Sequence, residues 1–297
     1  MIAEYSDIFS ENLKTKPADL DPLELKVDEK KWQQTRNRGP PRTQTLAKEY
    51  EIERQIKKML ANNVIKPSQA AYYSQVHLEP KPNNKWRLCI DFRPLNEATE
   101  AMGWPIPNVF KMLQRLGHHR AKYYAVMDLT SGYHQAPLSK ASQAASAFMT
   151  FMGVFEWLRV PMGLKGAPSY FQQQMAIRVL RGLIYHILEL YLDDVIVFGR
   201  TEDELLKNLR QVFDRFRKHG LTLNPGKCRF GLTKVEYVGH TIDERGLTYS
   251  DEKLREVLNF PKPVTQKNMK QFLGLVNYFR DHIRNHSMLV QPLKRWF

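Results

Sequence analysis

The chain has 297 residues, and 45 Lys and Arg against 31 Asp and Glu give it a formal net charge of +14 at pH 7. This excess favours a polyanionic partner such as nucleic acid, although a ribosomal or membrane-surface protein would share it. Two cysteines, Cys89 and Cys228, are too few for a disulfide framework or a zinc knuckle, and no apolar run reaches about 18 residues, so we expect a soluble chain in a reducing compartment.

The first third of the chain changes from polar to patterned sequence. Residues 1–42 are polar, contain prolines and include the basic stretch 36–42, so we expect them to be extended or partly disordered. A helix is predicted from Thr45, ending before Pro67, because apolar residues recur near helical spacing at Leu46, Tyr50, Ile56, Met59 and Leu60. Short strands are predicted at 76–78 and 86–92, joined by a polar turn at 81–85.

Carboxylates interrupt two strand-like runs. The run 123–129 holds Asp128 near its end, and the run 188–198 carries Asp193 and Asp194 at its centre, where a hairpin turn is expected. A solvated acidic turn is one interpretation. The other is a site for two Mg²⁺ ions roughly 3.5–4 Å apart, which would offset the cost of burying neighbouring carboxylates and would support nucleotidyl transfer. No His or Cys cluster accompanies these acids, which makes zinc unsuitable.

Helical patterns follow this hairpin. Residues 201–204 form a capping box, and the next helix carries Leu205, Leu209, Val212 and Phe216 before Gly220 ends it. Beyond Tyr249 the pattern is again helical, with Thr265 as a predicted cap. Helices that alternate with strands in this way indicate an α+β sheet covered on one face.

The sequence YLDD at 191–194, together with the upstream DLTSGYHQ at 128–135, resembles the reverse transcriptase of long-terminal-repeat retrotransposons, the gypsy-like branch in particular. Seven further segments occur in the order that this family shows, over roughly residues 40–295. They are VIKPSQAAYYS (64–74), WRLCIDFRPLN (86–96), WPIPN (104–108), VPMGLKGAPSYFQ (160–172), GLTLNPGKCRFG (220–231), VEYVGHTI (235–242) and FLGLVNYFR (272–280).

The resemblance implies a right-hand polymerase, an α+β fold with fingers, a palm whose antiparallel sheet is backed by helices, and a helical thumb. It assigns residues 1–42 to an N-terminal extension or linker, 43–98 and 138–158 to the fingers, and 99–137 and 159–247 to the palm. Residues 248–297 would form a thumb that stops before the connection and RNase H regions of the parent Pol polyprotein.

The resemblance also implies catalytic roles. Asp128, Asp193, Asp194 and the main-chain carbonyl of Leu129 would bind two Mg²⁺ ions, with Mn²⁺ as a substitute, where a primer 3′-hydroxyl attacks the α-phosphate. Lys227 matches a lysine that protonates the departing pyrophosphate, although a plain surface lysine is the alternative.

Several residues match nucleotide contacts of the family. Tyr133 would exclude a 2′-hydroxyl, and Met162 and Gly163 would pack on the nucleotide; many relatives carry Phe or Gln where Met162 stands. A core aromatic and a gap-filling methionine are the alternatives. Arg87, with Lys81 or Lys85, would bind the triphosphate, although a solvated basic turn would look similar.

Contacts with the template and primer are expected to be mostly to the backbone. Arg93 would touch the template. The loop formed by Tyr237, Val238, Gly239 and His240 would press on the primer end, unless it is an ordinary hairpin with a packed tyrosine.

The function implied is RNA- and DNA-directed DNA synthesis for retroelement replication, with an RNA or DNA template, a primer and deoxynucleoside triphosphates as partners. Other Pol domains (protease, RNase H and integrase) are expected in the parent polyprotein, a homodimer is left open, and no membrane partner is expected. The expected location is the cytoplasm within virus-like particles, or the nucleus. One alternative is a catalytically silent nucleic-acid-binding remnant or assembly subunit. An RNA-directed RNA polymerase is a weaker alternative, because Tyr133 would exclude ribonucleotides.

Overall fold

The computed structural model describes residues 1–81, 85–243, 246–249, 251–280 and 283–294. The chain divides into two compact units, Met1–Val235 and Glu236–Phe297. Helices and strands occur together in both units, which confirms the predicted α+β class. No helix in these described ranges is long and apolar enough to cross a membrane.

A five-stranded sheet forms one part of the first unit. Its strands are β1 (Ile65–Pro67), β2 (Ser74–Lys81), β3 (Lys85–Asp91), β5 (Phe148–Thr150) and β6 (Gly153–Trp157). Their spatial order is β1-β6-β5-β2-β3; β2 and β5 run parallel and the other neighbours antiparallel. The sheet therefore combines strands from 43–98 and 138–158, the two segments assigned to the fingers.

A four-stranded antiparallel sheet forms the other part. It contains β4 (Tyr123–Asp128), β7 (Leu188–Tyr191), β8 (Asp194–Gly199) and β9 (Arg229–Leu232), in the order β7-β8-β4-β9. Val195, Ile196 and Val197 of β8 are all fully buried, so both faces of this strand are covered. Branched side chains on a central strand pack well against their neighbours, which makes β4 and β8 a rigid base for whatever their ends carry.

Helices surround the two sheets. Those of the first unit are α1 (Glu29–Trp32), α2 (Leu46–Ala61), α3 (Arg93–Ala98), α4 (Val109–His118), α5 (Gly132–Gln135), α6 (Lys140–Gln143), α7 (Ala167–Gln174) and α8 (Glu202–Lys218). A π-helical turn, Met175–Val179, continues α7, and short 3₁₀ segments occupy Ile2–Ile8, Thr35–Arg38 and Ala144–Ser146.

Helix α8 begins and ends as its sequence predicts. The Thr201 hydroxyl accepts a hydrogen bond from the Glu204 N–H at 3.1 Å, and the Glu204 carboxylate accepts one from the Arg200 N–H at 2.8 Å. The helix ends before Gly220, whose φ of +68° is the left-handed conformation that glycine adopts without strain. Its apolar face is buried, so the periodicity identified both the helix and its inner face.

Helix α2 lies in the predicted range, and three of the predicted residues pack on the core: Ile56 is fully buried, and Met59 and Leu60 are partly buried against it. Leu46 and Tyr50, which were expected on the apolar face, are 85% and 72% exposed, whereas Ile52 and Ile56 are fully buried. The prediction was wrong for the first turn because it extended the apolar stripe one turn too far toward the N-terminus; the i, i+4 pair Ile52 and Ile56 defines the packed face.

Residues 1–42 were expected to be extended or partly disordered, and the structure agrees with the first alternative, with short helical turns at Ile2–Ile8, Glu29–Trp32 and Thr35–Arg38. Tyr5, Ile8, Leu20, Leu23 and Trp32 are all at most 5% exposed and belong to the hydrophobic core. Their spacing follows neither a helical nor a strand period, because the segment crosses the surface of the unit in extended stretches and inserts one side chain at a time. Burial of irregularly spaced side chains leaves no periodic signal in a sequence.

The second unit combines a small sheet with helices. Strands β10 (Val235–Tyr237), which begins at the unit boundary, β11 (His240–Asp243) and β12 (Gly246–Tyr249) are antiparallel neighbours, and helices α9 (Asp251–Leu258), α10 (Gln266–Tyr278) and α11 (His286–Lys294) follow. The Thr265 hydroxyl caps α10 as predicted, accepting from the Asn268 N–H at 3.1 Å. Tyr249 donates to the Tyr278 carbonyl at 3.0 Å and packs on Phe279, which joins the sheet to α10.

Truncation of Ile8 tests whether the N-terminal segment belongs to the folded core. We expect Ile8→Ala to lower the free energy of unfolding by about 2–5 kcal/mol, since it leaves a cavity at a fully buried site. The matched control is Ile2→Ala, because Ile2 is 50% exposed and its truncation should cost less than about 0.5 kcal/mol. Urea denaturation followed by circular dichroism measures both, and equal stability of the two variants would contradict the placement of this segment.

Candidate active site

The hairpin of β7 and β8 carries Asp193 in its turn. Tyr191 and Asp194 are cross-strand partners, which leaves Leu192 and Asp193 as a two-residue turn. Leu192 has φ +58°, a left-handed conformation that tight hairpin turns require and that a branched apolar residue seldom adopts. The Leu192 N–H donates to Gln172 Oε1 at 2.7 Å, so a buried glutamine of α7 holds the turn in place.

The neighbouring strand brings the third carboxylate to the same place. Asp128, the last residue of β4, is the antiparallel partner of Asp194. A Cβ on Gly132 would lie 3.1 Å from the Asp193 Cβ, so the turn after β4 approaches the hairpin closely and leaves little room for a side chain there. The structure thus brings Asp128, Asp193 and Asp194 together at one end of the four-stranded sheet.

Burial and mutual repulsion raise the pKa of two of these acids. For Asp194 burial is the main cause and repulsion from Asp193 and Asp128 adds to it, raising the pKa to about 6. Burial is also the main cause of the raised pKa of Asp193, with a contribution from Asp128. Lys227 counteracts both shifts: its ammonium donates to the two Asp128 oxygens at 3.0 and 3.2 Å. A single lysine therefore compensates part of the negative charge of three acids.

The donor atoms at this end of the sheet determine which kind of metal ion could bind there. Within the part of the chain that the structure describes, no group of three or more His, Cys, Asp or Glu side chains has the arrangement of a metal site. The donors present at the end of β4 and β8 are carboxylate oxygens, the ligands that Mg²⁺ and Mn²⁺ prefer. Two of them carry raised pKa values, so a nearby cation would relieve an unfavourable charge. The donor chemistry thus fits a hard divalent cation although the described side chains do not stand in a metal-binding arrangement, and the role of these acids as ligands stays a prediction.

Tyr133 lies beside the acids. It is half-buried, its ring packs edge-on against Phe171 with centroids 5.3 Å apart, and burial raises its pKa to about 12, with further contributions from Asp193 and Asp194. The ring is thus both a packed aromatic and a wall of the acidic site, so the two interpretations of this residue are compatible.

Met162 and Gly163 occupy a turn near the five-stranded sheet. The Met162 side chain is 53% exposed, which contradicts a gap-filling core role. Gly163 has φ +95°, so a side chain there would be strained, and its carbonyl accepts from Asn96 Nδ2 at 2.9 Å. Asn96 Oδ1 also accepts from the Lys165 N–H at 2.8 Å, so one amide of α3 fixes this turn from both sides.

The basic residues predicted for the triphosphate lie on the β2–β3 hairpin. Arg87 is exposed on β3 opposite Glu79, and Lys81 is the exposed partner of Lys85 at the end where β2 stops and β3 begins. The Lys85 backbone belongs to β3, but its side chain lies outside the described residues. Arg87 and Lys81 are both exposed, and they lie on a different sheet from the one that carries the three acids.

Arg93, the predicted template contact, forms a bidentate ion pair with Asp91, with N···O distances of 2.7 and 2.8 Å. Arg42 pairs with the same carboxylate at 2.9 Å, and these hydrogen bonds hold the pKa of Asp91 well below its usual range. A cavity of about 580 Å³ is lined by Arg42, His77, Ile90, Asp91, Phe92, Arg93, Asn96 and Gly163. Two cations share one acid there, so the cavity wall keeps a positive charge.

The loop predicted to contact the primer lies in the second unit. Val238 and Gly239 have φ of +47° and +75° and form the turn between β10 and β11. Tyr237 and His240 are buried, and the His240 ring packs on Tyr249 with centroids 4.8 Å apart. This burial fits the alternative of an ordinary hairpin with a packed tyrosine, and it leaves the half-exposed Val238 and Gly239 as the residues that could reach a primer.

Polar residues that hold the site in place were missed by sequence reasoning. Gln172 positions the hairpin turn, Asn96 fixes the turn at Gly163, and Gln135 joins the end of β4 to residue 222 through three hydrogen bonds of 2.7–2.9 Å. Each lies inside a segment that resembles the family. Most hydrogen bonds of these three side chains go to backbone atoms that are distant in sequence, so a sequence pattern does not predict them.

Comparisons with known proteins agree with this geometry. Residues 79–242 match the family model described as reverse transcriptase (RNA-dependent DNA polymerase). The chain is 36% identical over 296 residues to the retrovirus-related Pol polyprotein from transposon 412 of Drosophila melanogaster, and 30% identical over 293 residues to the transposon Tf2-3 polyprotein of Schizosaccharomyces pombe. These matches cover 96% and 98% of the chain but 23% and 22% of the relatives, so the chain spans less than a quarter of their length.

Solved structures share the fold. The foamy viral protease-reverse transcriptase dRH in complex with double-stranded DNA superposes with a TM-score of 0.84 at 23% identity, over 99% of this chain and 50% of that one. The foamy viral protease-reverse transcriptase in complex with an RNA/DNA hybrid gives a TM-score of 0.81, over 99% of this chain and 39% of that one. The expected right-hand polymerase fold is therefore confirmed.

The raised pKa of Asp194 predicts a pH-dependent stability. An acid whose pKa rises from 3.8 to about 6 on folding binds more protons in the folded state, so the free energy of unfolding falls as pH increases through this window. Without divalent cations, Asp194→Asn should be more stable than wild type at pH 7, by about 1–2 kcal/mol after allowance for solvent screening, and the difference should disappear below pH 4.

Urea midpoints at pH 7 and just below pH 4 measure this effect. The exposed Glu11→Gln, which removes one negative charge from the surface, is the control and should show no such dependence on pH. An Asp194→Asn variant that is less stable than wild type at pH 7 would contradict the repulsion described here.

Proposed function

The chain belongs to the reverse transcriptase family, and we propose that it is an RNA- and DNA-directed DNA polymerase that extends a primer 3′-hydroxyl with deoxynucleotides during retroelement replication. The observation that carries the proposal is the meeting of Asp128, Asp193 and Asp194 at the paired ends of β4 and β8. Three acids held together against their own repulsion are what a nucleotidyl transfer site requires.

Asp128, Asp193 and Asp194, with the Leu129 carbonyl, would hold two Mg²⁺ ions, for which Mn²⁺ could substitute. When bound, such ions supply positive charge that stabilises the attacking and leaving oxygens of phosphoryl transfer. The chain's own contribution is to fix the acids: β4 and β8 set Asp128 opposite Asp194, and the turn held by Gln172 sets Asp193.

Lys227 is proposed as the proton donor to departing pyrophosphate. Its ammonium already lies 3.0 Å from the Asp128 carboxylate, so a proton can be held at Nζ next to the reacting phosphates. Tyr133 is proposed to exclude ribonucleotides, because its half-buried ring has little freedom to move away from a 2′-hydroxyl. Met162 and Gly163 would pack on the nucleotide, and Arg87, with Lys81 or Lys85, would bind its triphosphate.

The proposed partners follow from the same chemistry. A primer annealed to RNA or DNA would be bound by a chain of net charge +14, with Arg93 on the template and the loop 237–240 on the primer end. The foamy viral neighbours, whose complexes contain double-stranded DNA or an RNA/DNA hybrid, support this choice of partner. Other Pol domains in the parent polyprotein and a location in cytoplasmic virus-like particles or the nucleus are part of the proposal, which is compatible with either a monomer or a homodimer.

Primer extension tests the proposal. On an RNA template with Mg²⁺ and deoxynucleotides we expect Asp193→Asn to reduce the rate by roughly 10²-fold or more, because the turn loses a charged oxygen ligand, while affinity for primer-template stays close to wild type. Asp203→Asn, on the exposed first turn of α8, is the matched control and should extend normally.

The outcomes separate the candidate functions. Extension that survives Asp193→Asn would refute the assigned mechanism. A wild-type chain that binds primer-template but extends it with neither Mg²⁺ nor Mn²⁺ would instead support the silent binding or assembly subunit.

Sugar selection tests the role of Tyr133. We expect Tyr133→Ala to lower the preference for deoxynucleotides over ribonucleotides by roughly tenfold or more, because the clash with the 2′-hydroxyl is removed. The ratio of kcat/KM values for the two nucleotide types measures it. Tyr123→Ala, at the opposite end of β4, is the control. An unchanged ratio in Tyr133→Ala would leave this residue as a core aromatic only.

A further inference from the structure

Thr130 connects the end of β4 to the beginning of the chain. It is 3% exposed and lies two residues after Asp128. Its N–H donates to the Thr222 carbonyl at 3.0 Å, its carbonyl accepts from Gln135 Nε2 at 2.9 Å, and its hydroxyl donates to the Ser10 carbonyl at 2.7 Å. All three polar atoms of this residue are thus hydrogen-bonded, and two of them join segments that are distant in sequence.

The N-terminal strap, defined here as residues 4–10, pairs with residues 222–224. The Leu223 N–H donates to the Ile8 carbonyl at 2.7 Å, and the Ser10 N–H donates to the Leu223 carbonyl at 3.0 Å. On the other side, the Asn224 N–H donates to the Asp128 carbonyl at 2.9 Å. Residues 222–224 are therefore held between the strap and the end of the strand that carries Asp128.

This arrangement of residues 222–224 positions Lys227. Its N–H donates to the Asn224 carbonyl at 3.1 Å, and its ammonium reaches back to the Asp128 carboxylate. A displacement of residues 222–224 would move Nζ relative to Asp128. Because reacting groups lose efficiency when they are displaced by about 1 Å, the support of this short segment has chemical consequences.

The strap is firmly attached at its other end. Tyr5 donates from its hydroxyl to Asp214 at 2.6 Å, and the Arg217 guanidinium lies 4.2 Å from the Tyr5 ring centroid while pairing with Asp7. Ile8 is fully buried in the core. A segment held by α8 in this way does not fray like a free terminus, so it can act as a fixed support.

We propose that Thr130 is a positioning residue for nucleotidyl transfer: it locks the N-terminal strap and residues 222–224 to the end of β4 and thereby holds Lys227 at Asp128. The inference rests on the proposed function, because it assigns a task to Lys227 in that reaction. It also makes residues 4–10 part of the polymerase itself, although they lie outside the segment that matches the family model.

The variant Thr130→Val tests the proposal, because valine keeps the shape of the side chain and removes its hydrogen bond to the Ser10 carbonyl. We expect kcat for addition of one nucleotide to fall roughly tenfold, with the KM for deoxynucleotide within about twofold of wild type. Hydrogen exchange at the Ser10 and Leu223 amides should accelerate roughly tenfold or more, without substrate or metal. Thr130→Ser, which keeps the hydroxyl, should restore both values.

The matched control is Thr99→Val. Thr99 is also buried, and its hydroxyl donates to the Leu95 carbonyl at 2.7 Å, so the same substitution removes the same kind of bond elsewhere in the first unit. This variant should lose a comparable amount of stability and keep its kcat and its Ser10 and Leu223 exchange rates. An equal fall in kcat for both variants would show general destabilisation and would overturn the positioning role.

The two proposals fail in different ways. If wild type extends primers and Thr130→Val does so at the same kcat, the positioning role is refuted and the proposed function stands. If wild type shows no extension under any condition that binds primer-template, the proposed function fails and the role of Thr130 in catalysis fails with it. Unchanged exchange at Ser10 and Leu223 in Thr130→Val would refute the lock itself.

Discussion

Repulsion between three carboxylates is the constraint on which the rest of this structure depends. Antiparallel pairing of β4 with β8 places Asp128 opposite Asp194, and a two-residue turn adds Asp193 beside them. Such a cluster would separate if the backbone could yield, because the repulsion falls with distance. It stays together because both strands are central and most of their side chains are buried, so movement of the acids would disturb the core.

Buried polar side chains do the local positioning around this cluster. Gln172 and Gln135 are each about 4% exposed and bond to backbone atoms of the hairpin turn and of residue 222. Arg159, 1% exposed, donates to carbonyl oxygens of residues 14, 15, 62, 63 and 134, which joins the N-terminal segment to two other stretches. Bonds to backbone carbonyls fix these segments without bringing another carboxylate near the site, and a buried donor that lost them would be costly.

What the sequence predicted well is local. The hairpin at 188–199, the capped helix α8 and the strand ending at Asp128 all follow from periodicity, turn chemistry and caps, which involve residues close together in the chain. The core role of residues 1–42 could not be predicted, because Tyr5 and Ile8 pack against α8, some 200 residues away, without a regular spacing. The role of Thr130 could not be predicted for the same reason. A threonine in a turn is expected at the surface, and its hydrogen bond to Ser10 is visible only in the structure.

Burial and mutual repulsion of the three acids destabilise the fold, and the same negative charges would attract cations. Burial and repulsion raise the pKa of Asp194 to about 6. At neutral pH the ionised carboxylate therefore lowers the free energy of unfolding. Any cation that binds the folded cluster and not the unfolded chain recovers part of this free energy, and it binds more tightly by the amount recovered. Lys227 supplies positive charge from the chain itself: it is 62% exposed, donates hydrogen bonds to Asp128, and lowers the pKa of Asp193 and Asp194 through its charge. The pKa values of Asp193 and Asp194 stay raised in spite of Lys227, and a small divalent ion would place two charges in the space that one ammonium would fill.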